Sequence, residues 1–133
     1  MNIGKLYKSN EKTFNVKDIP GAPETDATIT IRLLTPGERR KVSNKAITPI
    51  LDDNFEYTGK VNTDWQAIAP ETFVRCVVGW SGFFGDGGVE LHCTNENKAL
   101  LVDLFPEIAD FVQVEHQKMV DEFEEANKAE VKN

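Results

Sequence analysis

The chain has 133 residues and a formal net charge of −7, and 40% of its residues are hydrophobic, including eight Phe and two Trp. That length and composition suit one folded domain with a buried apolar core and exclude a chain that stays disordered. The acidic balance disfavours a protein that grips nucleic acid through its phosphates, and no apolar run approaches the ~20 residues of a membrane span.

Residues 1–12 read as a polar leader, with Leu6 and Tyr7 as docking points, and the amino terminus lacks the apolar centre of a signal peptide. A cytoplasmic setting is therefore expected. Phe14, Val16 and Ile19 face one way as a first strand, which Pro20-Gly21-Ala22-Pro23 stops. Ile29, Ile31 and Leu33 alternate with Thr28, Thr30 and Arg32, the period of a half-buried strand, and a hairpin with the first strand is the economical pairing.

Thr35-Pro36-Gly37-Glu38 has capping-box spacing with proline at the first helical position, so a helix starts there and runs to about Ala46. It gathers Arg39, Arg40 and Lys41, with Arg32 and Lys45 close in sequence, into the one dense basic patch of an acidic chain. Such a patch is either a solvated helix face or a docking surface for an acidic partner.

From Thr48 to Asp64 the composition turns to Pro, Asp, Asn, Thr and Gly, which predicts a long loop. Asp52-Asp53-Asn54 invites a calcium reading, but Tyr57 and Thr63 stand where a calcium loop needs its glycine and its final glutamate. Thr63 or Asp64 then caps a helix carrying Trp65, Ile68, Phe73 and Val77, with Pro70 bending it or setting off a short first turn. Phe73, Val74, Val77 and Val78 continue one apolar helical face as far as Gly79, and Trp80 follows as a core anchor.

Gly82 and Gly85-Asp86-Gly87-Gly88 let the chain reverse, sending Val89 and Leu91 to one side and Glu90 to the other. The glycine run lacks the Lys-Ser/Thr end of a P-loop and the G-x-G-x-x-G order of a dinucleotide site, so it reads as a turn. Thr94 or Asn95 caps the next helix, and Pro106 opens the last. Ile108, Phe111, Val112, Met119, Val120 and Phe123 form its apolar stripe, which fades into a fraying acidic end over about 121–133. The expected fold is α+β: a small antiparallel N-terminal sheet or hairpin packed on a helix-dominated single domain, with Trp80 largely buried.

Chemistry is sparse. Cys76 lies inside an apolar run and reads as a buried free thiol, since a disulfide to Cys93 needs an oxidising space that nothing else implies. His92, Cys93, Cys76 and His116 include zinc-type ligands but none of the close paired spacings of structural sites. No nucleophile, base and orienter come together and no carboxylate pair is set apart, so no enzyme, metal or cofactor is expected.

Two stretches carry a resemblance. Trp80-Ser81-Gly82, the Asp86-Gly87 turn, Val89, Leu91, Thr94-Asn95-Glu96-Asn97, Leu100-Leu101 and Pro106-Glu107-Ile108 follow one another as they do in the tail assembly chaperones of long-tailed bacteriophages. Upstream, Ile31-Arg32-Leu33-Leu34-Thr35-Pro36-Gly37-Glu38 is similar to the strand-then-helix opening of those chains. Together the matching pieces cover somewhat over half of the sequence and consist of caps, turns and core positions, with Trp80, Gly82, Gly85, Thr94 and Pro106 as structural anchors.

The resemblance implies a non-enzymatic assembly factor that binds the tape-measure protein before tail-tube polymerisation, works with other tail proteins in the host cytoplasm and is absent from the finished virion. Members of that family are often followed by an overlapping reading frame reached by programmed ribosomal slippage, so a slippery heptanucleotide near the last codons would favour the chaperone. Arg39, Arg40 and Lys41 would steer acidic client segments, and Met119 and Phe123 on the final helix would hold apolar ones. The alternative is a small structural module of the virion, such as a tail terminator or connector subunit, built on the same α+β core.

Overall fold

The computed structural model describes residues 10–131, with side chains as far as Asn127. Three antiparallel strands make the main sheet in the order β1-β2-β5: β1 is Glu11–Asn15, β2 is Thr28–Arg32 and β5 is Val77–Ser81. The alternation of β2 sends Ile29 and Ile31 to one face, where they pair with Phe14 and Lys12 on one side and with Trp80 and Val77 on the other. Thr13, Thr30, Thr28 and Ser81 take the opposite face, and their hydroxyls pair across the strands at 2.8 Å. One face is therefore apolar and covered, the other polar and open.

The helices cover the apolar face. α1 (Pro36–Ala46), α2 (Ile68–Cys76), α3 (Asn95–Leu104) and α4 (Pro106–Val131) join the sheet in one continuous core around Phe73, Ile29, Ile31, Leu33, Leu34 and Ile108. α4 lies along α2 and reaches β2, so its stripe of Ile108, Val112, Met119 and Val120 is buried. Phe111, one position off that stripe, meets Phe14 of β1 edge-on at 5.5 Å. The protein is α+β, as the patterning predicts.

The cap signals are realised atom for atom. Thr35 Oγ1 accepts the Glu38 amide while the Glu38 carboxylate accepts the Thr35 amide, and Arg32 grips the same carboxylate with both terminal nitrogens. Thr94 Oγ1 accepts the Asn97 amide at the start of α3, and Pro106 stands at the first position of α4.

Several expectations are corrected. Glu11 and Lys12, at the end of the stretch read as a leader, pair in β1, while Leu6 and Tyr7 lie outside the described residues. Val16 and Ile19 are buried but not in the strand, which ends at Asn15 and passes into the 3-10 helix Val16–Asp18. The helix through Phe73 stops at Cys76, not Gly79: Val77 and Val78 are β-branched and the chain pairs with β2, where a bulge leaves Val78 exposed. Trp65 belongs to a 3-10 turn capped by Asp64 and is 75% exposed, because the regular helix begins only at Ile68. The acidic end is helical beyond 121, with α4 continuing to Val131.

The largest correction falls on 48–64. In place of a loop the chain forms a second antiparallel hairpin, β3 (Ile47–Leu51) with β4 (Tyr57–Thr63). Asp52 closes its tip, its carboxylate accepting the Asn54 and Glu56 amides at 2.8 and 3.0 Å, so the aspartate serves a turn. Turn formers, one at the tip and Gly59 within β4, mask a strand pair that is exposed along its entire length from Ile47 to Asn62.

Candidate partner-binding surfaces

The central block builds an apolar groove. β5 carries Trp80 to the edge of the core, and Gly82 turns the chain at φ +82°, with its α-carbon so close to Ala27 that a Cβ would lie 2.8 Å from the Ala27 Cα. Only glycine fits there. Phe83 and Leu91 then face each other across a short hairpin, with the Leu91 amide donating to the Phe83 carbonyl at 2.8 Å and the Gly85 amide to the Val89 carbonyl at 2.8 Å. The reversal itself is made by Gly87 and Gly88, both at positive φ.

This hairpin and α3 are fastened together. Trp80 Nε1 donates to the Leu91 carbonyl at 2.9 Å, the Trp80 and Phe83 rings meet at 5.1 Å, and Asn97 Nδ2 donates to the His92 carbonyl at 2.9 Å. Between them opens a cavity of about 110 Å³, lined by Trp80, Phe83, Phe84, Leu91, Leu100, Leu101, Leu104 and Phe105, with Asn97 as its one polar lining residue. Phe84, Leu100 and Leu104 are largely exposed on the rim. Such a groove takes one large apolar side chain in its floor, while the rim offers further contacts to a helix laid across it. Trp80 is half-buried, not largely buried, because it forms this floor.

The residues singled out for partner binding are divided by the fold. Met119 is 5% exposed within the core and Phe123 is half-buried against the same cluster, so this stretch of α4 is not the open apolar surface expected of it. A stripe that continues at helical spacing continues into the core when the helix does. Arg39 reaches across to Glu124 of α4 at 3.5 Å and Lys45 pairs with Glu71 at 3.1 Å, while Arg32 is held by Glu38. Arg40 and Lys41 remain exposed and make no ion pair among the described residues.

Two buried polar residues escape a reading by motif. His116 Nε2 accepts the Leu34 amide at 2.9 Å, beside a cavity of about 110 Å³ that Arg39, Ser43, Thr72 and Gln113 also line. Burial, with the nearby Arg39 and Arg32 charges, pushes its pKa down to about 4, so the ring is neutral. Its helical spacing from Val112 and Met119 was the available signal. Lys98 is buried along its stem and donates from Nζ to the Val74 carbonyl at 3.1 Å, satisfying a late carbonyl of α2; nothing in its sequence neighbourhood marks it.

Neither thiol is disposed toward chemistry. Cys76 and Cys93 are free, burial pushes Cys76 up to about 12, and burial also raises Cys93. A thiol so held is protonated and a poor nucleophile. No group of three His, Cys, Asp or Glu side chains among the described residues is placed to hold a metal ion, and none of the described helices is long and apolar enough to cross a membrane. Comparison with known proteins finds no similar family model, curated protein or solved structure.

Proposed function

We propose that the protein is a non-enzymatic tail assembly chaperone of a long-tailed phage or prophage, which binds the tape-measure protein in the host cytoplasm before the tail tube polymerises. The observation that carries this reading is the apolar groove of Trp80, Phe83, Phe84, Leu91, Leu100 and Leu104, because the block on which the family resemblance rests is the block that lines it. A tape-measure protein is long and mostly helical, and an apolar groove with an exposed rim covers one stretch of such a helix without enclosing it. That geometry gives moderate affinity, which suits a factor that must later let go. The acidic remainder of the surface keeps the chaperone and its client in solution.

The test is co-expression with a tape-measure protein and affinity capture. Leu100→Asp with Leu104→Asp changes two exposed rim positions, so the variant should keep the wild-type circular dichroism and lose about tenfold in retained client, the equivalent of ~1.4 kcal/mol. A folded variant that holds the client normally excludes the groove as the binding site. Wild-type protein that ignores the tape-measure protein and instead joins assembled tubes would favour the terminator or connector alternative.

A further inference from the structure

The β3–β4 hairpin is an arm whose every residue from Ile47 to Asn62 is exposed. Cross-strand partners share a face, so the register Pro49↔Val61, with Ile47 alternating in step, puts Ile47, Pro49 and Val61 on one side, and beyond a register shift after Pro49 the pair Leu51↔Tyr57 continues the apolar run towards the tip. The other side carries Thr48, Ile50 and Asn62. One face of the arm is thus apolar and bare. A two-stranded hairpin alone in water is marginally stable, and needs a further layer on its apolar face to be firmly held. Among the described residues none provides it, since the arm is solvent-exposed up to its base at Thr63.

The charges indicate what covers it. The tip is acidic, with Asp52, Asp53 and Glu56 around Phe55, which is 84% exposed and held at φ +61°. The arm's one cation, Lys60, sits in β4 rather than at the tip. α1 runs into β3 without a spacer, and Arg40 and Lys41 lie midway along it, exposed and with no ion pair among the described residues. Five strand residues span about 17 Å, and Arg40 and Lys41 lie about 8 Å of helix rise before the start of the arm.

We propose that two copies of this chain associate through their arms, antiparallel and related by a two-fold axis. The apolar faces pack on each other, and each acidic tip, overshooting the other arm's base, reaches Arg40 and Lys41 of the second copy. The arrangement is self-complementary, so it closes as a dimer. It also uses both unsatisfied features at once, the bare apolar face and the unpaired cations. The two arms and tips form an interface at the low end of specific association, below about 1,200 Å² in total, so the dimer is weak and forms at micromolar concentration. This inference is independent of the tape-measure reading, which rests on a different surface.

Sedimentation velocity from about 1 to about 200 μM spans the expected range. The chain should move from monomer to dimer across it, and Leu51→Asp with Val61→Asp should leave the circular dichroism unchanged while holding the protein monomeric. Arg40→Glu with Lys41→Glu should weaken the dimer about tenfold or more, as should Asp53→Lys with Glu56→Lys, and the two pairs combined should restore it. A wild-type chain that stays monomeric at ~200 μM overturns the proposal and leaves the arm to another protein. A dimer that persists in the apolar-face variant, or reversed charges that fail to rescue each other, overturns it equally.

Discussion

His116 of α4 accepts the backbone amide of Leu34 at 2.9 Å, which ties the long C-terminal helix to the joint where β2 ends and α1 begins. The Leu34 amide lies beyond the strand pairing and before the helical hydrogen bonds, so without the imidazole it would be a buried donor with no partner. The contact also requires Nε2 to be unprotonated, which links the fold to pH.

Stability should therefore fall in mild acid. His116 has a folded pKa of about 4 against an ordinary 6.5, so the unfolded chain takes up a proton in this window and the folded chain does not. Its contribution is fully present above about pH 6.5 and is lost as pH falls to about 4, by on the order of 2 kcal/mol. Urea midpoints at pH 7 and 4.5 measure this, and His116→Gln, which can accept the same amide without titrating, should flatten the drop. An equal drop in the variant would show that another group is responsible.

A second and lower window belongs to Glu38. The Arg32 guanidinium, with help from the Thr35 amide and hydroxyl, holds its carboxyl down to about 2. That contribution is present above about pH 4.5 and is lost as pH falls towards 2. Because the pair is partly open to solvent, Glu38→Gln at pH 7 should cost only about 1 kcal/mol. Thermal melts at pH 7 and pH 2.5 should show the wild type and variant converging at the lower value.

Gly82 should be the least replaceable glycine of the central block. Gly82→Ala combines a left-handed φ with a Cβ placed 2.8 Å from backbone, whereas Gly87→Ala at φ +79° meets open space. We expect a loss above about 2 kcal/mol for the first and about 1 kcal/mol for the second. Equal denaturation midpoints for the two variants would remove the close approach to Ala27 as the cause.

Met119 and Leu104 separate core from groove. Met119→Asp buries a carboxylate in the apolar core and should unfold the protein or cost more than about 3 kcal/mol. Leu104→Asp, on an exposed rim, should change stability by less than about 1 kcal/mol. Near-ultraviolet circular dichroism of the paired variants checks this, since Trp80 and Phe83 report on the intact floor.

Trp80→Phe should cost about 1 kcal/mol, because it keeps the ring against Phe83 and removes the bond to the Leu91 carbonyl. Trp80→Ala should cost about 2 to 4 kcal/mol, less than a fully buried tryptophan would, as one side faces the groove. A midpoint unchanged by Trp80→Ala would mean that the ring does not hold the hairpin to the sheet.

Local chemistry determined what lay within a few residues of its signal. The capping box at Thr35 and Glu38, the caps and openers at Thr94 and Pro106, the alternation through Ile29 and Ile31 and the pairing of β2 with the preceding strand were all legible, because each depends on near neighbours. Distant contacts decided the rest. Val77 and Val78 carry a helical period that β2 overrides by offering strand hydrogen bonds, and the β3–β4 arm hides behind turn-forming residues whose pairing depends on register. Met119 and Phe123 share one stripe with Ile108, and only the path of α4 along α2 determines that the stripe stays covered so far along. The groove is likewise tertiary: Trp80, Leu91 and Leu104 come from a strand, a turn and a helix, and no spacing in the chain records that they share a cavity.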